Sequence, residues 1–335
     1  MKKYKICKIL LVILAIFLCV AFYELLGICV AYKKQPEVSN TTKKETKNGS
    51  WNECSENTER AVIIEKNPEA LLQRVRLIKN AKKEIILSTF AFQSDESGKL
   101  ILGALHDAAD RGVHIRLLVD GMESWIDMEG NPYFYGLSSH ENVEIKLYNK
   151  ANPLKPWKMM GRMHDKYLIA DGKRYILGGR NTYNYFLGDF PGHKNYDRDV
   201  LVVCDEPEKE NSVNQLLEYF ETIWEQEDSG YFHDNKKLAN RKSVKNAVLE
   251  LQNGYQKYFE ENKERICDTD YTDETFETEK IALVSNPIHT GSKEPVVWYQ
   301  LGELMKNAKN RVKIHTPYII CNDMMYNTWE EICLL

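Results

Sequence analysis

Arg162-Met163-His164-Asp165-Lys166-Tyr167-Leu168-Ile169-Ala170-Asp171-Gly172-Lys173-Arg174-Tyr175-Ile176-Leu177-Gly178-Gly179-Arg180-Asn181 is the stretch of this 335-residue chain that decides its fold. Residues 163–170 suit a strand, Asp171-Gly172 is a strong type I′ hairpin turn, and Tyr175 to Leu177 suits the returning strand. The two-residue period of a strand puts His164 and Lys166 on one face. With Asp171 and Gly172 as the two turn residues, Ala170 faces Lys173 and His164 faces Gly179, and Asn181 falls on the same face. That face carries an imidazole, an ammonium and a carboxamide beside a position with no side chain.

These groups suit a phosphodiester. Lysine offers a positive point charge to a non-bridging oxygen. Asparagine donates hydrogen bonds to the same group. Glycine lets a bulky tetrahedral phosphate approach the backbone. Neutral histidine is a competent nucleophile at pH 7. An exposed hairpin with a surface histidine and lysine fits the same pattern, and the hairpin alone does not choose between the two.

Working outward, Asn67-Pro68 reads as an N-cap with proline at the first helical position, and Leu71, Leu72, Val75 and Ile78 follow at helical spacing. Glu84 to Phe92 suits a strand. Gly98 to Arg111 reads as a helix with Leu100, Ala104, Leu105 and Ala108 on one face, stopped by Gly112. In Val113 to Val119, Val113, Ile115, Leu117 and Val119 point one way and His114 and Arg116 the other. Strand, helix, strand in close succession argues for a βαβ unit in an α/β sheet. Val213, Leu216, Leu217, Phe220, Ile223 and Trp224 mark another amphipathic helix.

The N-terminus is of a different kind. Ile9 to Tyr32 is an almost unbroken apolar run, interrupted by Glu24 and flanked by lysines. It is long enough to span a bilayer and lacks a small-x-small cleavage site, which reads as an uncleaved anchor, residues 1–34. The short Lys-rich leader favours a catalytic domain on the outer side of the cell membrane. Residues 35–60, rich in Ser, Thr, Asn, Lys and Glu, read as a flexible stalk, and 227–278 as a charged connector. Residues 279–335 look like a second start. Met305-Lys306-Asn307-Ala308-Lys309 matches Ile78-Lys79-Asn80-Ala81-Lys82, and a strand is expected at Arg311 to Thr316, as one follows Lys82. The eight cysteines show no C-x-x-C and no paired histidines, so no zinc site is expected. A net charge of −4 gives no sign of a polyanion-binding surface, which argues against nucleic acid.

His164-x-Lys166-x4-Asp171-x6-Gly178-Gly179-x-Asn181 resembles the full HKD signature of the phospholipase D superfamily. Phe92-Gln93-Ser94-Asp95 with the helix and strand after it, and Tyr196-Asp197-Arg198-Asp199-Val200, extend the resemblance over about residues 61–226. The Gly-Gly-x-Asn ending and the Asp-x-Asp-Val strand look most like the cardiolipin synthases. The resemblance implies an α/β fold, a mixed β-sheet flanked by helices, with 61–226 as the first HKD domain. It implies phosphatidyl transfer between phosphatidylglycerol molecules through a phosphohistidine, with no metal or other cofactor. His164 would be nucleophile or acid. Lys166, Gly179 and Asn181 would bind the phosphate, and Asp197, or else Asp199, would orient the histidine. Asp171 belongs to the signature, at a turn that suggests a structural role. A second HKD histidine would fall at roughly position 391 at the repeat spacing. The second repeat is therefore expected to be incomplete here. The chain is expected to act with a separately encoded second half or as a homodimer, or to be an inactive fragment. Hydrolysis of a phospholipid or another phosphodiester, and a membrane-tethered binding role, are the alternatives.

Overall fold

Strand, helix and strand between residues 84 and 120 form as the sequence reads, and they seed the sheet that carries everything else. The computed structural model describes residues 2–49, 59–204, 211–233, 235–316 and 319–334. Helices α1 (Lys2–Tyr32) and α2 (Asn40–Asn48) precede strand β1 (Glu59–Ile64). Next come α3 (Asn67–Asn80), β2 (Glu84–Thr89), α4 (Glu96–Asp110), β3 (His114–Asp120), α5 (Gly121–Asp127), α6 (Pro132–Ser138) and β4 (Val143–Tyr148). The hairpin β5 (Lys166–Ala170) and β6 (Arg174–Gly178) leads into β7 (Asp199–Cys204), α7 (Ser212–Trp224) and β8 (Ser229–Tyr231). Helices α8 (Lys242–Glu261) and α9 (Lys263–Cys267), strand β9 (Phe276–Glu277), and helices α10 (Val296–Lys306) and α11 (Asp323–Cys333) follow.

The strands form one mixed sheet in the order β8-β4-β3-β2-β5-β6-β7-β1-β9. β2, β3 and β4 are parallel, and β5, β6, β7 and β1 are joined antiparallel. Alternation decides which side each residue serves. Ile85, Leu87, Ile115, Leu117 and Leu168 face a core covered by α3, α4, α6 and α8; Ile86, Leu118, Tyr167 and Ile169 face a smaller core under α7. Each such Leu or Ile, buried on folding, is worth about 1.5–3 kcal/mol. The C-terminal ends of β2 and β3 are where an open α/β sheet presents its ligand site.

Four expectations need correction. Residues 35–60 are not all stalk. Ser39 caps α2 through its side chain and Gly49 closes it at φ 76°, while Glu294 holds Ser39 N and Thr42 Oγ1 at 2.8 and 2.7 Å. Residues 50–58 of that stretch lie outside the described residues, and β1 already begins at Glu59. Residues 227–278 are part of the sheet unit, because they supply β8 and β9 at its two edges and α8 across its helical face. Asn67 is the first residue of α3 and not its cap; its amide serves Asn195 O and Arg180 instead. Residues 311–316 join no strand, and Val312 and Ile314 are exposed. A strand exists only through a neighbour that accepts its ladder, and this segment joins the ladder of none of the described strands.

Helix α1 is long and apolar enough to cross a membrane, with a mean hydropathy of 2.9 over its most apolar 18 residues.

Candidate active site

The hairpin turn positions the motif, with a register one residue away from expectation. Asp171 and Gly172 have φ of 54° and 62°, and Lys173 N donates to Ala170 O at 3.1 Å, as a type I′ turn requires. Lys173 then drops out of the ladder, so Ala170 pairs with Arg174 and Tyr167 with Leu177. That register brings Gly178, and not Gly179, level with Lys166. The Asp171 carboxylate lies at the far end of β5 from His164. It accepts backbone N–H from Lys82, Lys83 and Glu84 at 2.7–3.1 Å. Asp171 thus fastens the turn to the entrance of β2, a structural place at the opposite end of the strand from His164.

His164 sits just before β5, where residues 161–165 have left regular structure. Asp120, buried at the end of β3, holds this approach by accepting from Met163 N at 3.0 Å and Arg162 Nε at 2.8 Å. The imidazole lies edge-on to Phe90, with centroids 4.7 Å apart. Its ring nitrogens make no hydrogen bond among the described residues. Partial desolvation in the cavity mouth, then the neighbouring Lys166 ammonium, hold its pKa below the ordinary histidine value although the ring keeps an exposed edge, which leaves it neutral at pH 7. Lys166 is 5% exposed and donates to the His164 carbonyl at 2.6 Å. Burial pushes its pKa down to about 8, against the pull of Asp165 and Asp197. The Phe90 ring takes Lys166 and Arg162 at 5.2 and 4.9 Å, a cation–π arrangement that helps keep both charges in place.

A cavity of about 400 Å³ opens here, lined among others by His164, Asp165, Lys166, Gly178, Tyr219 and Lys293. Gly179, Asn181 and Asp197 do not line it. Asn181 is buried behind the site with its Oδ1 accepting from Ala91 N at 3.2 Å, which ties the end of β6 to the exit of β2. The two glycines have a packing reason. A Cβ on Gly178 would lie 2.0 Å from Asp199 Oδ1, and one on Gly179 would lie 2.1 Å from Asp197 Oδ2. The space at Gly179 that suggested a phosphate is filled by the Asp197 carboxylate. Neither Asp197 nor Asp199 is hydrogen-bonded to His164. Asp199 is buried between Arg74 and Arg180 at 2.9 and 3.2 Å. Arg180 also holds the Asp197 carbonyl and, at 3.2 Å, Ile64 O. His193 lies exposed in a loop, tilted against Tyr185.

Sequence reasoning missed Phe90, Asp120, Tyr219 and Lys293. Tyr219 Oη donates to Asp165 Oδ2 at 2.7 Å, and burial raises the Asp165 pKa. An Asp-Gly pair at the end of an apolar strand was a usable signal for Asp120; Lys293 and Tyr219 carry none, because only the fold brings them in. Among the described residues no three His, Cys, Asp or Glu side chains gather as a metal site.

Residues 74–224 match the family model "Cardiolipin synthase, PLD-like domain". An uncharacterized protein of Helicobacter pylori is 29% identical over 299 residues, covering 81% of this chain and 56% of its own. Cardiolipin synthase C of Escherichia coli is 29% identical over 171 residues, 47% of this chain and 34% of its own. Cardiolipin synthase 1 of Staphylococcus aureus is 34% identical over 117 residues, 35% of this chain and 23% of its own. The chain therefore spans little more than half the length of the Helicobacter pylori relative, and less of the other two. Residues 74–224 therefore form a phospholipase D-like domain of the cardiolipin synthase type.

Proposed function

We propose that the chain carries the reaction centre of a phospholipase D-type phosphatidyltransferase similar to the cardiolipin synthases. A ring nitrogen of His164 attacks the phosphorus of phosphatidylglycerol, the P–O bond to the headgroup glycerol breaks, and the phosphatidyl group rests as a phosphohistidine. The departing alkoxide takes a proton from a second imidazole on the far side of phosphorus. That imidazole then takes the proton of the incoming hydroxyl of another phosphatidylglycerol, whose oxygen displaces His164. The products are cardiolipin and glycerol. One ring cannot stand on both sides of phosphorus, so the second imidazole comes from another HKD motif, in a second half or a second copy. Lys166 neutralises the developing charge on the non-bridging oxygens. The α1 anchor keeps the site at the membrane, on its outer side.

One observation carries this reading: an exposed, neutral imidazole whose ring nitrogens make no hydrogen bond among the described residues, at a cavity that also presents a lysine. The test uses the full-length protein in detergent with phosphatidylglycerol labelled in its acyl chains. Labelled cardiolipin and free glycerol are expected, both lost in His164→Ala. Phosphatidic acid as the sole product would replace transfer with hydrolysis at the same site. Turnover unchanged by His164→Ala would sink the assignment.

A further inference from the structure

The segment between β4 and the motif, Lys150-Ala-Asn-Pro-Leu-Lys-Pro-Trp-Lys-Met-Met-Gly-Arg162, has no part in the chemistry above, yet it is built with care. Asn149, at φ 51°, closes it by donating its side-chain amide to Lys158 O and Gly161 O at 2.7 and 2.8 Å. Two prolines stiffen it further. This pre-formed loop leaves Leu154, Trp157 and Met160 exposed at 76%, 45% and 57%. A soluble surface has no reason to hold three large apolar side chains outward on a rigid loop.

The loop's neighbour gives the reason. It packs along α1: the Tyr23 hydroxyl donates to Leu154 O at 3.1 Å, and Gly27 lies so close to Pro156 that a Cβ would come within 2.5 Å of its Cγ. Both contacts fall inside the apolar span Tyr4–Tyr32. At 1.5 Å per residue the span is about 43 Å long, close to a bilayer with its headgroups. Gly27 is then about 7 Å from the outer end, at the boundary between headgroups and acyl chains, and Tyr23 about 13 Å, roughly one turn below it. A loop that touches α1 at that level is itself at that level. Tryptophan is the side chain that favours this boundary. Lys155 is exposed with no acidic partner among the described residues, and suits anionic headgroups.

We propose that residues 150–162 are a bilayer-docking loop, with Leu154, Trp157 and Met160 seated at the headgroup–acyl boundary of an anionic membrane beside α1. The loop ends two residues before His164. Docking therefore holds the imidazole at the depth where the phosphodiesters of the bilayer lie, without lifting a lipid into water. The inference rests on α1 spanning the membrane and is independent of which transfer the site performs.

The test reconstitutes the full-length protein in vesicles of phosphatidylcholine and phosphatidylglycerol. Tryptophan quenching by phosphatidylcholine brominated near the headgroup is then read. Trp157→Phe should lower the quenched fraction. Leu154→Trp, which adds an indole at the same level, should raise it, as should Trp224→Phe, which removes a core tryptophan. His164→Ala should leave it unchanged. If the protein resists alkaline carbonate extraction while Trp157→Phe and Leu154→Trp both leave the quenched fraction unaltered, the docking loop is overturned and the anchor stands. Release by carbonate overturns the anchor and the loop together. Shielding of Trp157 that grows with the protein-to-lipid ratio would give the patch to a second copy, and overturns the proposal as well.

Discussion

Lys79-Asn80-Ala81-Lys82 and Lys306-Asn307-Ala308-Lys309 are the same four residues at the ends of two helices, and the chain does different things after each. In both copies the helix stops within the shared residues, with Ala81 donating to Leu77 O and Asn307 to Glu303 O. After the first copy the chain enters β2, laddered on one side by β3 and on the other by β5. After the second, residues 311–316 run with no ladder and Ile314 is 51% exposed. A helix and its stop are local properties, written in a few consecutive residues. A strand is conditional on neighbours. The first copy has one more aid, the Asp171 carboxylate that collects the N–H groups of Lys82, Lys83 and Glu84. No described carboxylate does this after Lys309.

Substitutions can break this comparison or sharpen it. The largest effect should come from His164→Ala, which removes the proposed nucleophile at the mouth of the laddered region. Turnover of phosphatidylglycerol should fall about a millionfold, as for loss of a covalent nucleophile elsewhere. A residual rate near wild type would mean that the laddered region is scaffold and the chemistry lies elsewhere.

Lys166→Ala should reduce kcat about a hundredfold, the scale of losing one charge-stabilising donor. The pH profile separates the two groups. His164 must be neutral to attack, and its lowered pKa keeps it so down to below the ordinary 6.5, so the acid limb should fall there. Lys166 must be charged, and its ammonium is lost as pH rises through about 8. Lys166→Arg should abolish that alkaline limb even where it lowers the maximum rate. An alkaline limb unmoved by the arginine would remove Lys166 from the rate-determining charge.

Asp171→Ala should cost about 1–2 kcal/mol in urea unfolding, comparable with losing a helix cap. Amide exchange at residues 82–84 should quicken while the rest of β2 stays protected. Smallest of all, Val312→Lys and Ile314→Lys should each change stability by less than about 0.5 kcal/mol, as exposed positions do. A larger loss would show that this segment has a ladder partner in the full protein.

The same division explains what was legible in the sequence. Alternation in 113–119, apolar spacing in 98–111 and the Asp-Gly turn gave the βαβ unit and the hairpin, because each signal is complete within about ten residues. The motif also pointed to His164 and Lys166, which line one cavity. Misread were features set by distant partners. Lys173 leaves the ladder because β6 must also align with β7. Gly179 makes room for Asp197 and Asp199 is locked between Arg74 and Arg180, all through contacts across β6 and β7. The capped helix after Ser39 was readable, since Ser39 and Gly49 are its cap residues, but a polar composition hid it.

The two edge strands have a geometric consequence. β8 and β9 lie eight strand spacings apart, about 38 Å, yet they come from one continuous stretch of chain. Between them α8, 20 residues and about 30 Å long, passes over α6 and α4 before α9 reaches α3. The helix is thus a ruler cut to the width of the sheet. One turn more or less changes its length by about 5.4 Å, more than a whole strand spacing. Point changes on its outer face are absorbed, whereas a gained or lost turn leaves one margin of the molecule without its last strand.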